Sequence, residues 1–96
     1  MNIIRLHYIF YGWVQGVGFR YRAYHAARRY GVSGWVRNLP DYTVEMELEG
    51  READIDEVIL CIERGDYIRI DNVDIKDIPV QNSHSFEYRT SSQLKI

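Results

Sequence analysis

Two short motifs of the sequence carry residues that could bind an anion and hold a water molecule beside it. The first, residues 12–20, reads Gly-Trp-Val-Gln-Gly-Val-Gly-Phe-Arg. Glycine permits positive φ and a close backbone approach, so such a stretch can turn several N–H groups toward one anion. Arg20 adds a guanidinium fork that matches two phosphate oxygens. The motif therefore predicts an anion-binding loop.

The second motif, residues 34–38, reads Gly-Trp-Val-Arg-Asn. The Asn38 amide can donate and accept hydrogen bonds, so it can hold a water molecule beside an anion. Asparagine shortly before a proline is also common in turns, and without further knowledge the turn role of Asn38 is the favoured one. Neither motif matches a Walker loop, because no lysine lies in the first forty residues, or the Gly-x-Gly-x-x-Gly dinucleotide fingerprint.

The elements that must position these motifs follow from the hydrophobic pattern. In chain order we predict a strand over 3–11, a helix over 19–30 ended by Gly31, strands over 32–39 and 43–48, a helix over 51–64, a strand over 67–78 and a short strand over 85–90. This order predicts an α+β, ferredoxin-like split βαβ sandwich, an antiparallel sheet with two helices on one face. We expect a single domain over 1–96, with residues 91–96 as a frayed tail.

Length and composition exclude several classes of protein. The 96 residues suit one domain, and a hydrophobic content of 46% with two prolines argues against disorder. The single cysteine, Cys61, excludes a disulfide framework and a multi-cysteine metal site, and neither a metal nor another cofactor is expected. No apolar run reaches ~18 residues, and the first residues lack a signal-peptide pattern. We therefore expect a cytoplasmic protein without a membrane partner.

The net charge of −2 is unevenly distributed along the chain. Residues 1–40 hold six arginines and no acidic side chain, whereas residues 41–96 hold six basic and fourteen acidic side chains. An acid-free segment around the candidate loop suits an anion-binding surface, although two differently charged solvated surfaces would give the same split. Only Arg20 is expected to contact the anion directly, and the other five arginines to raise the local potential or lie on solvated surfaces.

Taken together, the two motifs resemble those of the acylphosphatase family. The family pattern is G-x-V-Q-G-V-G-F-R, then G-W-V-[RK]-N about eighteen residues after the arginine, the separation seen between Arg20 and Asn38. The resemblance implies metal-independent hydrolysis of the carboxyl–phosphate bond of acyl phosphates to carboxylate and inorganic phosphate. It implies that Arg20 and Asn38 are catalytic, with Asn38 orienting the water. It further implies that the phosphate is bound by Gln15, Gly16, Val17, Gly18, Phe19 and Arg20.

Three features depart from the family pattern. Tyr42 follows Asp41 where a glycine is common, and because tyrosine resists positive φ the turn type is expected to differ. Asp66 replaces a common proline after the second helix, and Arg22 adds positive charge near the site. These departures concern turn geometry and stability more than activity.

The resemblance implies two small-molecule partners, an acyl phosphate as substrate and inorganic phosphate as product and competitive ligand, for a monomeric protein. A different class stays open, a non-catalytic anion- or RNA-binding module, because sheets of this topology can stack bases on aromatic residues. The sequence lacks the RNP1 pattern of RNA-recognition domains, and the first forty residues contain no lysine. Nucleic acid is therefore not the expected partner.

Overall fold

The computed structural model describes residues 2–90. Its elements are β1 (Ile4–Trp13), α1 (Phe19–Tyr30), β2 (Ser33–Asn38), β3 (Val44–Gly50), α2 (Glu52–Glu63), β4 (Arg69–Ile78) and β5 (Phe86–Arg89). Every predicted element is present, and the ends differ from the prediction by at most two residues. The expected frayed tail, residues 91–96, lies outside the described residues.

The five strands form one sheet in the order β4-β1-β3-β2-β5. The first four pair in antiparallel fashion, and β5 adds to the edge of β2 in parallel. Apolar residues on one face of the sheet, such as Phe10, Met46 and Leu48, share the core with Phe19 of α1 and Ile55 of α2. The predicted α+β arrangement, with both helices on one face of the sheet, is confirmed.

Glycines mark both ends of α1, the helix that carries Arg20. Gly18 precedes it with φ +86°, and Gly31 follows it with φ +68°, the residue predicted to end the helix. Arg28 and Arg29 lie in its last turn, where the helix dipole favours positive charge, and no acidic residue lies in its first turn. The positive end of this dipole therefore stays available to an anion. No helix within residues 2–90 has the length and apolar character needed to cross a bilayer.

A buried ion-pair cluster closes the opposite end of the sheet. Arg5, only 2% exposed, pairs with Glu47 at 2.8 Å and with Glu49 at 3.0 Å. The Glu49 carboxylate also accepts the backbone N–H groups of Gln81 and Ser83, in the loop before β5. Arg5 is therefore neutralised and enclosed. The expectation that it would lie on a solvated surface or raise the potential of the anion site is wrong, because carboxylates of β3 lie beside it in the sheet.

The Glu49 cluster makes the stability of the fold depend on pH. Burial opposes the ionisation of Glu49, but hydrogen bonds from Gln81, Arg5 and Ser83 outweigh it and hold the pKa of this carboxyl below its usual range. A carboxyl whose pKa is lower in the folded state stabilises the fold above its unfolded pKa of about 4.3. That contribution is lost as the pH falls through the folded pKa.

We expect Glu49→Gln to lower the free energy of unfolding at neutral pH by about 3 kcal/mol, because it leaves the buried Arg5 with one carboxylate fewer. The same change should reduce the difference in the free energy of unfolding between about pH 7 and about pH 3, measured by urea denaturation at both values. Asp71→Asn is the control, since Asp71 and Arg69 form an exposed pair that contributes at most about 1 kcal/mol. An equal loss of the free energy of unfolding in the two variants would contradict the stabilising role of the Glu49 carboxylate.

Candidate active site

The segment between β1 and α1 is a short loop with free backbone donors. Gly16 and Gly18 adopt left-handed conformations, with φ +72° and +86°. Within residues 2–90, no N–H group of residues 15–18 donates to a backbone carbonyl. The first N–H groups of α1 also lack intrahelical acceptors, and they stand at the positive end of the helix dipole. The loop and the helix start together form an anion-binding surface.

Gly12 belongs to β1 and not to the loop, although the sequence analysis grouped it with the loop glycines. It pairs with Ile70 at an irregularity between β1 and β4. A Cβ on Gly12, with φ +132°, would lie 2.2 Å from the carbonyl oxygen of Arg69. Gly34 of the second motif is similar, since its Cβ would lie 1.9 Å from the carbonyl oxygen of Glu47. The first glycine of each motif is thus required by close strand packing.

The Gln15 side chain connects the loop to the turn between β2 and β3. Its Nε2 donates to the carbonyl oxygens of Leu39 at 2.7 Å and Thr43 at 2.8 Å. Because β3 separates β1 from β2 in the sheet, this link fixes the end of β2 relative to the loop. The side chain of Gln15 therefore positions Asn38, while its backbone N–H remains part of the loop.

The turn that Gln15 holds contains Tyr42 in a left-handed conformation, with φ +72°. Tyrosine is therefore compatible with positive φ at this position, and a turn type different from that of the family stays a prediction. Tyr42 N–H donates to the Leu39 carbonyl at 3.2 Å. The Asp41 carboxylate accepts the hydroxyl and the backbone N–H of Thr43, which lowers the pKa of Asp41. These bonds fix the turn so firmly that Tyr42 takes the conformation usually filled by glycine.

Arg20 and Asn38 line the same small pocket. Its volume is about 90 Å³, and its lining residues are Val14, Gly16, Gly18, Phe19, Arg20, Tyr21, Asn38 and Tyr88. Asn38 Oδ1 is buried and has no hydrogen-bond partner among the described residues. An unpaired buried carbonyl oxygen is destabilising unless a water or a ligand donates to it. The amide therefore does not hold the turn and stays free to bind a molecule in the pocket.

Most residues of the sequence-derived site come together in this pocket. Gly16, Gly18 and Phe19 line it beside Arg20 and Asn38. The remaining two predicted residues, Gln15 and Val17, instead line a neighbouring groove. Their side chains thus lie outside the pocket, and only their backbone groups belong to the loop. The binding role of these residues stays a prediction.

Tyr88 of β5 supports Arg20, and the sequence analysis missed it. The guanidinium carbon of Arg20 lies 4.6 Å from the centre of the Tyr88 ring, a cation–π arrangement. The hydrogen bond from Arg20 Nη1 to the Arg89 carbonyl is longer than usual at 3.5 Å, so the ring is the firmer contact. Tyr88 reaches this place because β5 pairs with β2, which sets Tyr88 opposite Val36. The sequence offered one signal for this position: Tyr88 lies two residues after Phe86, so on a strand it shares the face of that buried residue.

We expect Tyr88→Leu to weaken the binding of inorganic phosphate about threefold, because an exposed cation–π contact contributes roughly 0.5–1 kcal/mol to holding Arg20. Tyr88→Phe keeps the ring and should bind phosphate like the unchanged protein. Titration calorimetry of the two variants measures the difference. Equal weakening in both would assign the effect to the Tyr88 hydroxyl and not to the ring.

Arg22 has a structural contact that distinguishes it from Arg20. Its Nε donates to the carbonyl of Cys61 at 2.8 Å, which ties α1 to the last turn of α2. Arg22 does not line the pocket that contains Arg20 and Asn38. Its effect is therefore on the packing of the two helices more than on the anion.

Comparison with known proteins places this chain among small phosphatases. The acylphosphatase family model matches residues 6–88. The acylphosphatase of Thermococcus kodakarensis is 44% identical over 77 residues, which cover 79% of this chain and 85% of that protein. The similarity includes both motifs that line the pocket.

Solved structures agree with the sequence comparison. The acylphosphatase from Coxiella burnetii has a TM-score of 0.82 and 29% identity, covering 92% of this chain and 94% of its own. The acylphosphatase from Bacillus subtilis has a TM-score of 0.80 and 27% identity, covering 90% of this chain and 98% of its own. The shared fold thus extends over nearly the whole of each protein.

Proposed function

The chain belongs to the acylphosphatase family, and from this premise we propose that it hydrolyses acyl phosphates to a carboxylate and inorganic phosphate. The observation that carries the proposal is the pocket lined by Arg20, the start of α1 and Asn38, whose buried Oδ1 has no hydrogen-bond partner among the described residues. One wall offers donors for an anion, and the other offers an acceptor for a water molecule. That pairing is what hydrolysis of a phosphoryl group requires.

In this mechanism the phosphoryl group is held by backbone N–H groups of the loop and by Arg20. Phosphoryl transfer depends on positioning and charge stabilisation more than on covalent chemistry. Donors fixed before the reaction stabilise the charge that spreads over the equatorial oxygens, and one such donor contributes roughly 3–4 kcal/mol in comparable sites. Arg20 matters most, because its fork can contact two oxygens at once.

Asn38 positions the nucleophile. Its Oδ1 accepts a hydrogen bond from a water molecule, whose oxygen then faces the phosphorus atom. As the new oxygen–phosphorus bond forms, the bond from phosphorus to the acyl oxygen breaks, and its electron pair leaves with the carboxylate. Among the described residues, the pocket lining includes no carboxylate or imidazole, so the proton of the water passes to a phosphate oxygen. The carboxylate is weakly basic, with a pKa of about 4, and leaves without an acid.

The proposal is tested by incubating the purified protein with benzoyl phosphate, without added metal, and following the release of benzoate. We expect steady hydrolysis that inorganic phosphate inhibits competitively. Hydrolysis no faster than that of the Arg20→Ala variant would overturn the proposed function.

The structure gives no support to the RNA-binding alternative. The open face of the sheet carries Glu45 and Glu47 of β3, and their carboxylates pair with neighbouring basic groups of His7, Arg37 and Arg5. Cations already paired in this way are poorly placed to neutralise phosphates. Acyl phosphate hydrolysis is therefore the function that we adopt.

A cytoplasmic location and a monomeric state form part of the same proposal. The single cysteine, Cys61, is free, which suits a reducing compartment. Gel filtration at micromolar concentration checks the oligomeric state, and a volume matching a dimer would contradict it.

A further inference from the structure

A wider groove adjoins the proposed phosphate pocket. It encloses about 500 Å³ and is lined by Trp13, Gly16, Val17, Asp66, Tyr67, Ile68 and Arg69. One wall is the end of β1, and the other is the segment between α2 and β4. Gly16 lines both spaces, so the groove and the phosphate pocket meet at the loop.

The groove has two exposed aromatic side chains in its lining. Trp13 is 67% exposed and Tyr67 is 77% exposed. Arg69 stacks over the Trp13 ring at 5.5 Å, and its charge is paired with Asp71. Neighbouring exposed aromatic residues beside a proposed reaction site indicate a binding surface, because burying them against a ligand is favourable.

We propose that this groove binds the acyl group of the substrate and prefers uncharged aromatic or apolar acyl groups. The inference rests on the proposed function, because it takes the phosphoryl end of the substrate to lie in the loop. An aromatic acyl group then stacks between Trp13 and Tyr67, while the bond to be broken remains beside Arg20 and Asn38.

Asp66 gives the groove a charge preference. With Arg69 paired to Asp71, the carboxylate of Asp66 is the uncompensated charge in the described lining. It repels an acyl group that carries its own carboxylate, although salt weakens the effect because the site is open to solvent. A dicarboxylic acyl phosphate such as succinyl phosphate is therefore a poorer substrate than benzoyl phosphate.

The test compares kcat/KM for benzoyl phosphate and acetyl phosphate, because acetyl phosphate has too small an acyl group to fill the groove. We expect Tyr67→Ala and Trp13→Ala each to lower the benzoyl-to-acetyl ratio about fivefold. Ile75→Ala is the control, because Ile75 is also an exposed apolar side chain, 56% exposed, but lines neither this groove nor the phosphate pocket. It should leave the ratio unchanged.

A third variant tests the charge preference. Asp66→Asn should raise kcat/KM for succinyl phosphate relative to benzoyl phosphate about twofold at low salt, and the gain should shrink as salt is added. A gain that is absent at low salt would overturn the assigned role of Asp66.

The outcomes separate this inference from the proposed function. If the unchanged protein hydrolyses neither benzoyl nor acetyl phosphate, the proposed function is wrong and the inference is wrong with it. If both are hydrolysed but the ratio is the same in Tyr67→Ala and Trp13→Ala, the inference is overturned and the function stands. A fall of the ratio in Ile75→Ala as large as in Tyr67→Ala would also overturn it. Circular dichroism melting curves establish that each variant is folded.

Discussion

Replacing Arg20 by alanine is expected to lower kcat/KM for benzoyl phosphate about a thousandfold. Arginines that stabilise a transferring phosphoryl group contribute factors of roughly 10³ or more, and one preorganised donor contributes roughly 10² to 10³. Arg20 meets the conditions for a large effect, because it lies in the first turn of α1 and its guanidinium is held on the Tyr88 ring. The fold should persist, because Arg20 lies outside the hydrophobic core.

Two further variants separate the geometry of Arg20 from its charge. Arg20→Lys keeps the positive charge but loses the planar fork. We therefore expect its kcat/KM to be about tenfold higher than that of Arg20→Ala and still about a hundredfold lower than that of the unchanged protein. Arg29→Ala is the control, since Arg29 lies in the last turn of the same helix and is exposed. Steady-state kinetics at equal ionic strength measure all three. A loss below tenfold in Arg20→Ala would remove Arg20 from the reaction.

The order and type of the elements could be predicted because each has a strong local pattern. In β3 the apolar Val44, Met46 and Leu48 alternate with glutamates, and the structure buries all three. The limits of α1 followed from its helical spacing and from Gly31. Such signals lie within one element, so they are visible without knowledge of its neighbours.

Contacts between distant elements could not be predicted in the same way. Glutamates on an alternating strand indicate a solvated face, yet Glu49 is 4% exposed, because the loop at Gln81 and Ser83 folds over it. Tyr42 shows the same limit. Its conformational preference is local, but the bonds of Asp41 and the Gln15 side chain outweigh it. In both cases a tertiary contact overrides a local rule.

The candidate site divides along similar lines. From the residues alone a turn role for Asn38 was favoured, and only the family resemblance of the motifs predicted that Arg20 and Asn38 act together. The structure lines one pocket with both. The motifs did not reveal the supporting residues, since Tyr88 depends on the pairing of β5 with β2 and the Gln15 side chain on the turn it binds. A motif thus names the groups beside the substrate, whereas the groups that position them have to be read from the fold.

Asn38→Ala is expected to lower kcat by about two to three orders of magnitude, comparable to the loss of one preorganised side-chain amide in other hydrolases. Inorganic phosphate should bind within about twofold of its original affinity, because the anion is held by the loop and Arg20 and not by the water-binding amide. Single-turnover kinetics give the first quantity, and titration calorimetry gives the second. Asn38→Asp keeps the shape but adds a negative charge, so it should weaken phosphate binding as well.

The stability of Asn38→Ala provides the most discriminating measurement. Asn38 Oδ1 is buried without a partner among the described residues, so removing it breaks no hydrogen bond within them and should change the free energy of unfolding by less than about 1 kcal/mol. A residue that merely held the turn would behave in the opposite way, with lower stability and nearly unchanged kcat. A variant that keeps its stability and is almost inactive therefore means that the Asn38 oxygen serves the attacking water and not the fold.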